Sequence, residues 1–582
     1  MKGFLTFFFL LLYLSLPHQL HSEAEESREL FSKAYALFSQ RDHSQAEDLF
    51  LKTLDLKSPL EDYSLYFLGT ISLDRDNLSS ARNYLAQLKQ RFPQSVWSSH
   101  AQLQLAIISL AEKNYSKAIG ELRTLRTGRV KKEFSDEALY LLGQIYEAKR
   151  ELNQAYSLYQ ALRHSSPLSP WAAEARKKVK RLREQHPQPF GLTSPEALSD
   201  EGELLLRERE YQEAERVYLK LLDLVPEGSL RPPFLMGLAN VYRGSRRGEK
   251  AISILGQIVR EYPKSSEASN ALYRLARIYW NRDDNLKALE HFMQLKERYP
   301  RSAFLDSATF ALARIYESLK RPGEALRIYR NFSKIFPDSQ LREAAAWRLA
   351  WIHYIQADYS RARTAFKGLA ANKGAARYKT AALYWQARTT ERIGRSEEAK
   401  QIFLQVLKGQ EAGYYRGRAT RMLKKMGVVV EKRKATSPPL SPNPTPPLSP
   451  SVSFHLSRAQ ELAEISLDHL AVSELDKIKT LSSGDLSLNL ILIREYARTR
   501  AYARSVALAN QTHHPSDELE RYRYPLVYWE MIQKKADKRG LDPYLILALI
   551  RQESLFDPKA LSPASAFGLM QLLPSTAARV AA

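Results

Sequence analysis

The chain has 582 residues, no cysteine and a net charge of +23, with a pI near 9.7. The absence of cysteine excludes disulfide bonds and thiolate metal sites. The positive charge predicts an anionic partner. Nucleic acid is disfavoured as that partner, because the sequence contains no helix-turn-helix, zinc-finger or RNA-binding signature.

The first 24 residues have the pattern of a secretory signal peptide. Lys2 precedes an apolar run, Phe4–Leu16, and small residues follow at Ser22 and Ala24. Residues 1–24 are therefore predicted to direct the chain to the periplasm. No later stretch approaches the roughly twenty apolar residues that a membrane span needs, so no transmembrane segment is predicted. In that compartment, peptidoglycan with its carboxylates and anionic membrane surfaces are the anionic partners available.

Residues 25–426 repeat with a period of 37 residues, except for a first step of 35 and an interruption near residues 186–199. A unit such as 271–300 has two helical patterns separated by a turn and followed by a proline. One alanine recurs in each of ten units, where its small side chain would let two helices approach. These alanines are Ala46, Ala81, Ala118, Ala155, Ala214, Ala251, Ala288, Ala325, Ala362 and Ala399.

These units resemble tetratricopeptide repeats, which are slightly shorter. The resemblance implies stacked helical hairpins that form a superhelical solenoid with a concave face, and such a face could bind protein partners. The chain has 31 tyrosines, which could suggest a sugar-binding surface. Several recur at repeat positions, among them Tyr242, Tyr279 and Tyr316, and this recurrence favours packing in the core.

Residues 427–454 are predicted to be a proline-rich linker. Their SPPLSPNPTPPLSP run at 437–450 is typical of an extended, semi-rigid spacer. Residues 455–520 return to helical hairpin patterns and are predicted to form a helical linker domain. His513 and His514 fall in a loop there and have no third ligand, so no metal site is predicted, and no cofactor is implied.

The last segment, 521–582, holds the candidate active site. Asp542 and Pro543 are predicted to be the N-cap and first residue of a helix that reaches Glu553. The residues three, four and seven positions before Glu553 are apolar: Ile550, Leu549 and Ile546. We therefore expect the carboxyl group to be poorly hydrated, so that it keeps a proton available for general acid catalysis.

Two motifs in this segment are Glu553-Ser554 and, further on, Gly568-Leu569-Met570-Gln571, which is predicted to be a short apolar helix. The segment resembles the soluble lytic transglycosylases, whose lysozyme-like α domain carries an E-S motif on a core helix and then a G-L-M-Q motif. The family usually has glycine at the position of Ser565. The resemblance implies that Glu553 is the catalytic acid and base, with Ser554 beside it, and that Met570 and Gln571 line the sugar-binding wall.

The implied reaction cleaves the MurNAc–GlcNAc β-1,4 bond of peptidoglycan strands and forms 1,6-anhydro-MurNAc. In this family a glutamic acid protonates the glycosidic oxygen and then takes a proton from the C6 hydroxyl that closes the anhydro ring. The resemblance assigns that role to Glu553. Ordinary glycosidases instead need a pair of carboxyl groups. The predicted fold class is all-α, a tetratricopeptide-like superhelical solenoid followed by a helical linker and the start of a lysozyme-like domain.

Two alternatives stay open. If Asp557 were a second catalytic carboxylate, a goose-type lysozyme hydrolase would be favoured, although Asp before Pro at a helix exit is ordinary turn chemistry. A periplasmic scaffold or glycan-binding protein without activity is the other alternative. The sequence stops within a helix predicted to begin near Ser575, so we expect the lysozyme-like domain to be partial and this chain alone to have little activity.

Overall fold

The computed structural model describes residues 24–56, 58–127, 131–372, 374, 376–408, 413–430, 448–482, 484–512, 514 and 517–581. The predicted signal peptide, apart from its last residue, lies outside this range, and so do residues 431–447 of the predicted linker and His513. The regular secondary structure of the described residues is helical, with two isolated β-bridges, Leu561 to Phe567 and Phe567 to Leu572. The all-α prediction is confirmed.

We number the helices α1 to α31 in chain order, starting with α1 at residues 24–39. Helices α2 to α12 are His43–Asp55, Glu61–Asp74, Leu78–Arg91, Ser98–Ala111, Tyr115–Thr127, Lys132–Ala148, Leu152–Ser165, Pro170–Gln185, Pro187–Phe190, Pro195–Arg207 and Tyr211–Leu224. Helices α13 to α23 are Pro232–Gly244, Gly248–Glu261, Ser266–Asn281, Asn285–Arg298, Leu305–Ser318, Pro322–Ile335, Arg342–Ile355, Tyr359–Ala371, Ala376–Arg392, Ser396–Lys408 and Tyr414–Lys425.

Helices α24 to α31 are Pro450–Glu464, Asp468–Leu481, Leu486–Arg498, Tyr502–Gln511, Asp517–Arg523, Trp529–Asp537, Pro543–Ser554 and Pro574–Ala581. The chain divides into two compact units. One comprises Met1–Leu158 together with Arg433–Ala582, and the other is Tyr159–Lys432. Among the described helices, none has the length and apolar character that crossing a bilayer requires.

The recurring alanine is buried in all ten predicted hairpins, with at most 1% of its surface exposed. A buried, larger side chain follows it by four residues, as predicted for Phe292 and Tyr329. The turn residue five positions before each alanine has positive φ: Arg41, Asp76, Lys113, Arg150, Arg209, Arg246, Asp283, Lys320, Ala357 and Gly394. A left-handed residue closes a tight turn between two helices, so the 37-residue period is a period of hairpins.

The array is interrupted by two extra helices. Helices α9 and α10 lie between the hairpin α7/α8 and the hairpin α11/α12, and residues 186–199 hold α10 and the first residues of α11. Arg163 of α8 is fully buried and forms ion pairs of 2.7 Å with Glu201 and Glu208. Both carboxylates follow α9 and α10 in the chain, so a buried ionic network ties Arg163 of α8 to α11 and the residue after it, across the interruption.

The recurring tyrosines pack as predicted. Tyr242 is buried, and Tyr279 and Tyr316 are partly buried against their own hydrophobic clusters. A cation from the following turn or helix lies over each ring, at 4.8 to 5.3 Å from the centroid: Arg247, Lys287 and Arg321. Their repetition is thus explained by packing and by cation–π contacts within each hairpin.

The segment after the predicted linker repeats the same hairpin, and its first helix, α24, begins at Pro450 and so includes the last five residues assigned to the linker. Helices α24/α25 and α26/α27 turn at Ser466 and Arg500, which have positive φ, and buried small residues follow five positions later at Ala471 and Ser505. Helices α24 and α25 share one hydrophobic cluster with α1 to α3. The N-terminal hairpins and the segment after the linker therefore fold as one unit.

Candidate active site

Helix α30 carries the first candidate motif. Asp542 caps it by accepting a hydrogen bond from the Tyr544 N–H, and Pro543 is its first residue, as predicted. Leu547 and Ile550 are buried, and they pack with Val506 of α27 and with other residues of one small cluster. Because α27 supplies part of the core under α30, the preceding hairpin positions the helix that carries Glu553.

The predicted poor hydration of Glu553 is wrong, because its side chain is exposed. The apolar residues before it do not form a single buried stripe. Ile550 faces the core, whereas Leu545 and Leu549 are 65% and 42% exposed. Leu545, Leu549 and Glu553 are spaced by four residues and share the outer face of α30. The carboxylate of Glu553 is therefore accessible to a ligand. It lies next to an exposed apolar surface formed by Leu545 and Leu549, which we call the apolar ledge.

The second motif is a turn and not the short helix that the sequence suggested. Phe567 and Leu572 exchange two backbone hydrogen bonds, of 3.0 and 3.2 Å, and so close a loop over the four residues between them. Gly568 and Gln571 have φ of +77° and +48°. The Gly568 N–H also donates to the Ala560 carbonyl at 2.9 Å. Glycine suits this position because positive φ costs it little.

Ser554 joins the two motifs. Its hydroxyl lies 3.1 Å from the Ile550 carbonyl of its own helix and 2.9 Å from the Leu569 carbonyl of the turn. The residue next to Glu553 thereby fixes the turn against the end of α30. The sequence predicted Ser554 to lie beside Glu553, and the contact that the hydroxyl makes is with the backbone of the second motif.

Gln571 is bound to the backbone. Its side-chain amide donates to the carbonyls of Ala560 and Gly568, at 2.9 and 3.0 Å. Met570 is 38% exposed and Phe567 is 58% exposed. Of the two residues predicted to contact sugar, Met570 therefore presents free apolar surface, while the amide nitrogen of Gln571 is engaged in holding the loop.

Arg551 anchors α30 to the preceding segment, which the sequence did not predict. Its Nε donates to the Arg523 carbonyl at 2.7 Å, its Nη2 lies 3.2 Å from Asn510 Oδ1, and its guanidinium lies 4.5 Å from the Tyr524 ring centroid. Arg523 in turn donates to the Ala509 and Thr512 carbonyls near the end of α27. No local sequence signal identifies such contacts, because their partners lie up to 41 residues away.

Asp557 is engaged in a turn. Its Oδ1 accepts a hydrogen bond from the Lys559 N–H at 2.8 Å. The chain reaches Asp557 through Leu555 and Phe556, two successive non-glycine residues with positive φ. Such conformations are costly and persist only where packing enforces them, and Phe556 is buried. These contacts place Asp557 in a turn, which is the environment that the sequence favoured.

Comparison with known families supports the reading of this segment. Residues 530–582 match the family described as Transglycosylase SLT domain. This segment is similar to the SLT domains of transglycosylases. Upstream of the SLT segment, tetratricopeptide repeats match residues 197–232, 234–265 and 270–302, and an outer membrane lipoprotein family matches residues 59–188. The predicted resemblance to soluble lytic transglycosylases with tetratricopeptide-like repeats is confirmed.

Individual proteins with similar sequences are also lytic transglycosylases. The soluble lytic murein transglycosylase of Escherichia coli K12 is 29% identical over 198 residues, which is 33% of this chain and 28% of that protein. The membrane-bound lytic murein transglycosylase C of Haemophilus influenzae Rd is 48% identical over 52 residues, 9% of this chain and 15% of that protein. The matched part thus spans less than a third of the length of these curated relatives.

Two solved structures resemble the whole fold. The 70 kDa soluble lytic transglycosylase of Escherichia coli has a TM-score of 0.60 and 17% identity, with 96% of this chain and 81% of that chain covered. An inactive mutant of the lytic transglycosylase Slt from Pseudomonas aeruginosa has a TM-score of 0.54 and 18% identity, with 95% and 81% covered. At these identities the likeness establishes a shared fold.

Proposed function

We propose that the protein is a periplasmic lytic transglycosylase that cleaves the MurNAc–GlcNAc β-1,4 bond of peptidoglycan and leaves a 1,6-anhydro-MurNAc end. The observation that carries the proposal is the SLT segment itself, in which Glu553 stands exposed at the end of α30 beside a turn fixed by Ser554. In this proposal the predicted linker, residues 427–454, joins the repeat array at 25–426 to the helical segment at 455–520, and its last five residues form the start of α24.

A single carboxyl group is enough for this chemistry. Glu553 in its acid form protonates the glycosidic oxygen as the bond to C1 breaks. The resulting carboxylate then removes the proton from the C6 hydroxyl, which attacks C1 and closes the anhydro ring. Protons balance and water is not consumed. Glu553 lies on an exposed face of α30, and Asp557 accepts the Lys559 N–H in a turn. These two observations support the assignment of both proton transfers to Glu553.

The apolar ledge around Glu553 suits a saccharide. Leu545 and Leu549 precede the carboxylate on the same face of α30, and Phe567 and Met570 are exposed at the second motif. Sugar rings present apolar C–H faces, and N-acetyl groups present methyls, so mixed apolar and polar walls bind them. In this proposal Met570 contacts the glycan, and Gln571 contributes by fixing the shape of the loop.

The test incubates the protein in its full natural length with purified murein sacculi, and the released muropeptides are weighed. We expect products that are lighter by one water than hydrolysis products. Glu553→Gln should lower the rate by on the order of 10² to 10⁴ fold, because it removes the proton donor. Asp557→Asn is the matched control, since an asparagine oxygen still accepts the Lys559 hydrogen bond, and it should leave the products unchanged.

Each result that contradicts the proposal points to a different function or removes one residue assignment. Products that carry reducing ends, together with a large loss of rate in Asp557→Asn, would indicate a goose-type lysozyme hydrolase. Binding to sacculi without any cleavage would indicate a glycan-binding scaffold. Full activity of Glu553→Gln would remove the assignment of that residue.

A further inference from the structure

Helix α23 follows the tenth hairpin of the array, and the next described helix, α24, belongs to the other compact unit. In the five hairpins before α23, the first helix buries an alanine in the core of its hairpin, at most 3% exposed: Ala239, Ala276, Ala313, Ala350 and Ala387. The residue 37 positions after Ala387 is Lys424 of α23, and its side chain is exposed. A position that the hairpins use for packing therefore carries a cation at the surface of α23.

Arg421 shows the same change from an apolar to a charged side chain. Its equivalents in the five preceding hairpins pack in the hydrophobic clusters: Met236, Tyr273, Phe310, Trp347 and Tyr384. The alignment is supported by Ala345, Ala382 and Ala419, which are also 37 residues apart and are all fully buried. Helix α23 therefore keeps the inner face of a first helix and replaces the face that a second helix would cover.

The charge on this face of α23 is not balanced by acidic residues. Residues 413–430 contain five Lys or Arg and no Asp or Glu. Arg421, Lys424 and Lys425 are exposed, and no carboxylate in the part of the chain that the structure describes forms an ion pair with them. Because their charges are not neutralised within the protein, these three side chains are available to an anionic partner.

A polar end for the array does not by itself require these charges. A terminal helix of a solenoid needs a polar outer face for solubility, and acidic or neutral side chains also provide one. Helix α9, at the interruption of the array, carries Lys177 and Lys180 at the corresponding positions after its recurring alanine. That helix also contains Glu174 and Glu184, and Lys177 pairs with Glu174 at 2.7 Å. Helix α23 differs from α9 because its polar face is cationic without compensation.

The shape of this surface favours a flat partner. Arg421, Lys424 and Lys425 share one side of α23, and Tyr414, which is 69% exposed, precedes Arg421 by two turns on the same side. We call these four residues the cationic face. A helix surface is convex, so a glycan strand finds no groove there, whereas a bilayer presents a plane of phosphates above apolar chains. Tyrosine is enriched at that boundary because its ring is apolar and its hydroxyl is polar.

We propose that the cationic face of α23 docks the repeat array on an anionic phospholipid surface. The three basic side chains lie at the phosphates, and the Tyr414 ring lies at the boundary with the apolar chains. None of the described helices could span a bilayer, so this contact is peripheral and reversible. The proposal concerns where the protein is held and does not depend on the chemistry of Glu553.

The test measures sedimentation of the protein in its full natural length with vesicles of phosphatidylethanolamine and phosphatidylglycerol. The triple variant Arg421→Gln, Lys424→Gln and Lys425→Gln should lower the partition coefficient about 10²-fold, because each basic residue near an anionic surface contributes about fivefold. Added salt should weaken binding of the parent, since exposed charges are screened. Vesicles of phosphatidylcholine alone should bind neither protein.

Two further variants complete the test. Lys180→Gln, Lys296→Gln and Lys334→Gln together are the matched control, since they remove three exposed charges from α9, α16 and α18 and should leave vesicle binding within about twofold of the parent. Arg421→Gln alone changes one exposed side chain, so it keeps the test valid if the triple variant does not fold, and it should weaken binding about fivefold. Circular dichroism checks that each variant remains helical.

Several outcomes would overturn the docking proposal. They are a parent protein that does not bind anionic vesicles, folded variants of the cationic face that bind like the parent, and an equal loss in the matched control, which would mean that net charge alone drives binding. Variants that lose binding to murein sacculi but keep vesicle binding would assign the cationic face to peptidoglycan carboxylates instead. Because vesicle binding is measured without cleavage, failure of the proposed function leaves this test unaffected.

Discussion

At the scale of single residues, the E-S motif and the G-L-M-Q motif are joined by a hydrogen bond that fixes their relative position. Ser554 lies on α30 next to Glu553, yet its shorter contact is with the Leu569 carbonyl of the turn. Gln571 binds two carbonyls of the same loop. Ser554, which was predicted to lie beside the acid, and Gln571, which was predicted to contact sugar, therefore both hold the shape of the site. An experiment can distinguish a residue that positions the turn from one that contacts the substrate.

Ser554→Ala tests the positioning role. Loss of the hydroxyl frees the Leu569 carbonyl, so we expect kcat to fall about tenfold with little change in KM, and stability to fall by about 1 kcal/mol. Amide hydrogen exchange at Leu569 and Gln571 should become faster. Ser318→Ala is the control, because that hydroxyl bonds only to its own helix. Lost activity with unchanged exchange in the turn would mean that Ser554 acts directly on the substrate.

At the scale of elements, each hairpin depends on one small residue. Ala288 of α16 is fully buried, and Phe292 fills the space one turn later. A protein interior is packed too closely to accept extra methyl groups at such a position without moving a helix. The left-handed turn residue five positions earlier fixes where the second helix starts. The turn and the packing of the alanine therefore favour the same alignment of the two helices.

Ala288→Leu should destabilise its unit by about 1–3 kcal/mol through overpacking. Thermal melting followed by circular dichroism would show a lower midpoint, and hydrogen exchange would localise the change to α15 and α16. Ala111→Leu, at an exposed alanine that ends α5, is the matched control and should leave the midpoint within error. Equal effects of the two substitutions would contradict the packing explanation for the repeat.

At the scale of the whole molecule, a buried polar cluster joins segments about 400 residues apart. Within the first unit, Tyr63 donates to Glu474 at 2.7 Å, His455 Nδ1 lies 2.5 Å from the same carboxylate, and Arg458 pairs with Asp62 at 3.0 Å. All five side chains are buried. Burial raises the pKa of Asp62 to about 6, although the Arg458 charge opposes the shift.

This pKa predicts a pH dependence of stability. Because the pKa of Asp62 is higher in the folded state than its usual value of 3.8, its contribution is fully present below about pH 4 and is lost as the pH rises through 6. Asp62→Asn should therefore gain stability relative to the wild type between pH 4 and 7, by about 2 kcal/mol. The facing charged groups, Arg458 and Glu474, are unchanged in this variant.

The measurement compares thermal midpoints of the two proteins across that pH range, with hydrogen exchange in α3 and α24 to localise the effect, because a chain of this size need not unfold in two states. Asp48→Asn on α2 removes an exposed carboxylate and is the control. If the difference between Asp62→Asn and wild type does not change with pH, Asp62 does not carry the predicted shift.

The sequence predicted the features that depend on short-range signals. The 37-residue period, the buried alanines and the cap of α30 at Asp542 all follow from side chains within a few turns of each other. The E-S and G-L-M-Q motifs identified the SLT segment for the same reason, since a motif is a local pattern.

The tertiary structure alone decided which faces are covered. Periodicity shows that Leu549, Ile550 and Glu553 are neighbours on α30, but α27 covers only the side with Ile550, so the carboxylate is exposed. Likewise, the aromatic rings of Trp351 and Trp385 meet because α19 and α21 are adjacent, and Asp62 is buried because α24 packs on α3. A sequence pattern fixes which residues share a face, while distant segments determine whether that face meets protein or solvent.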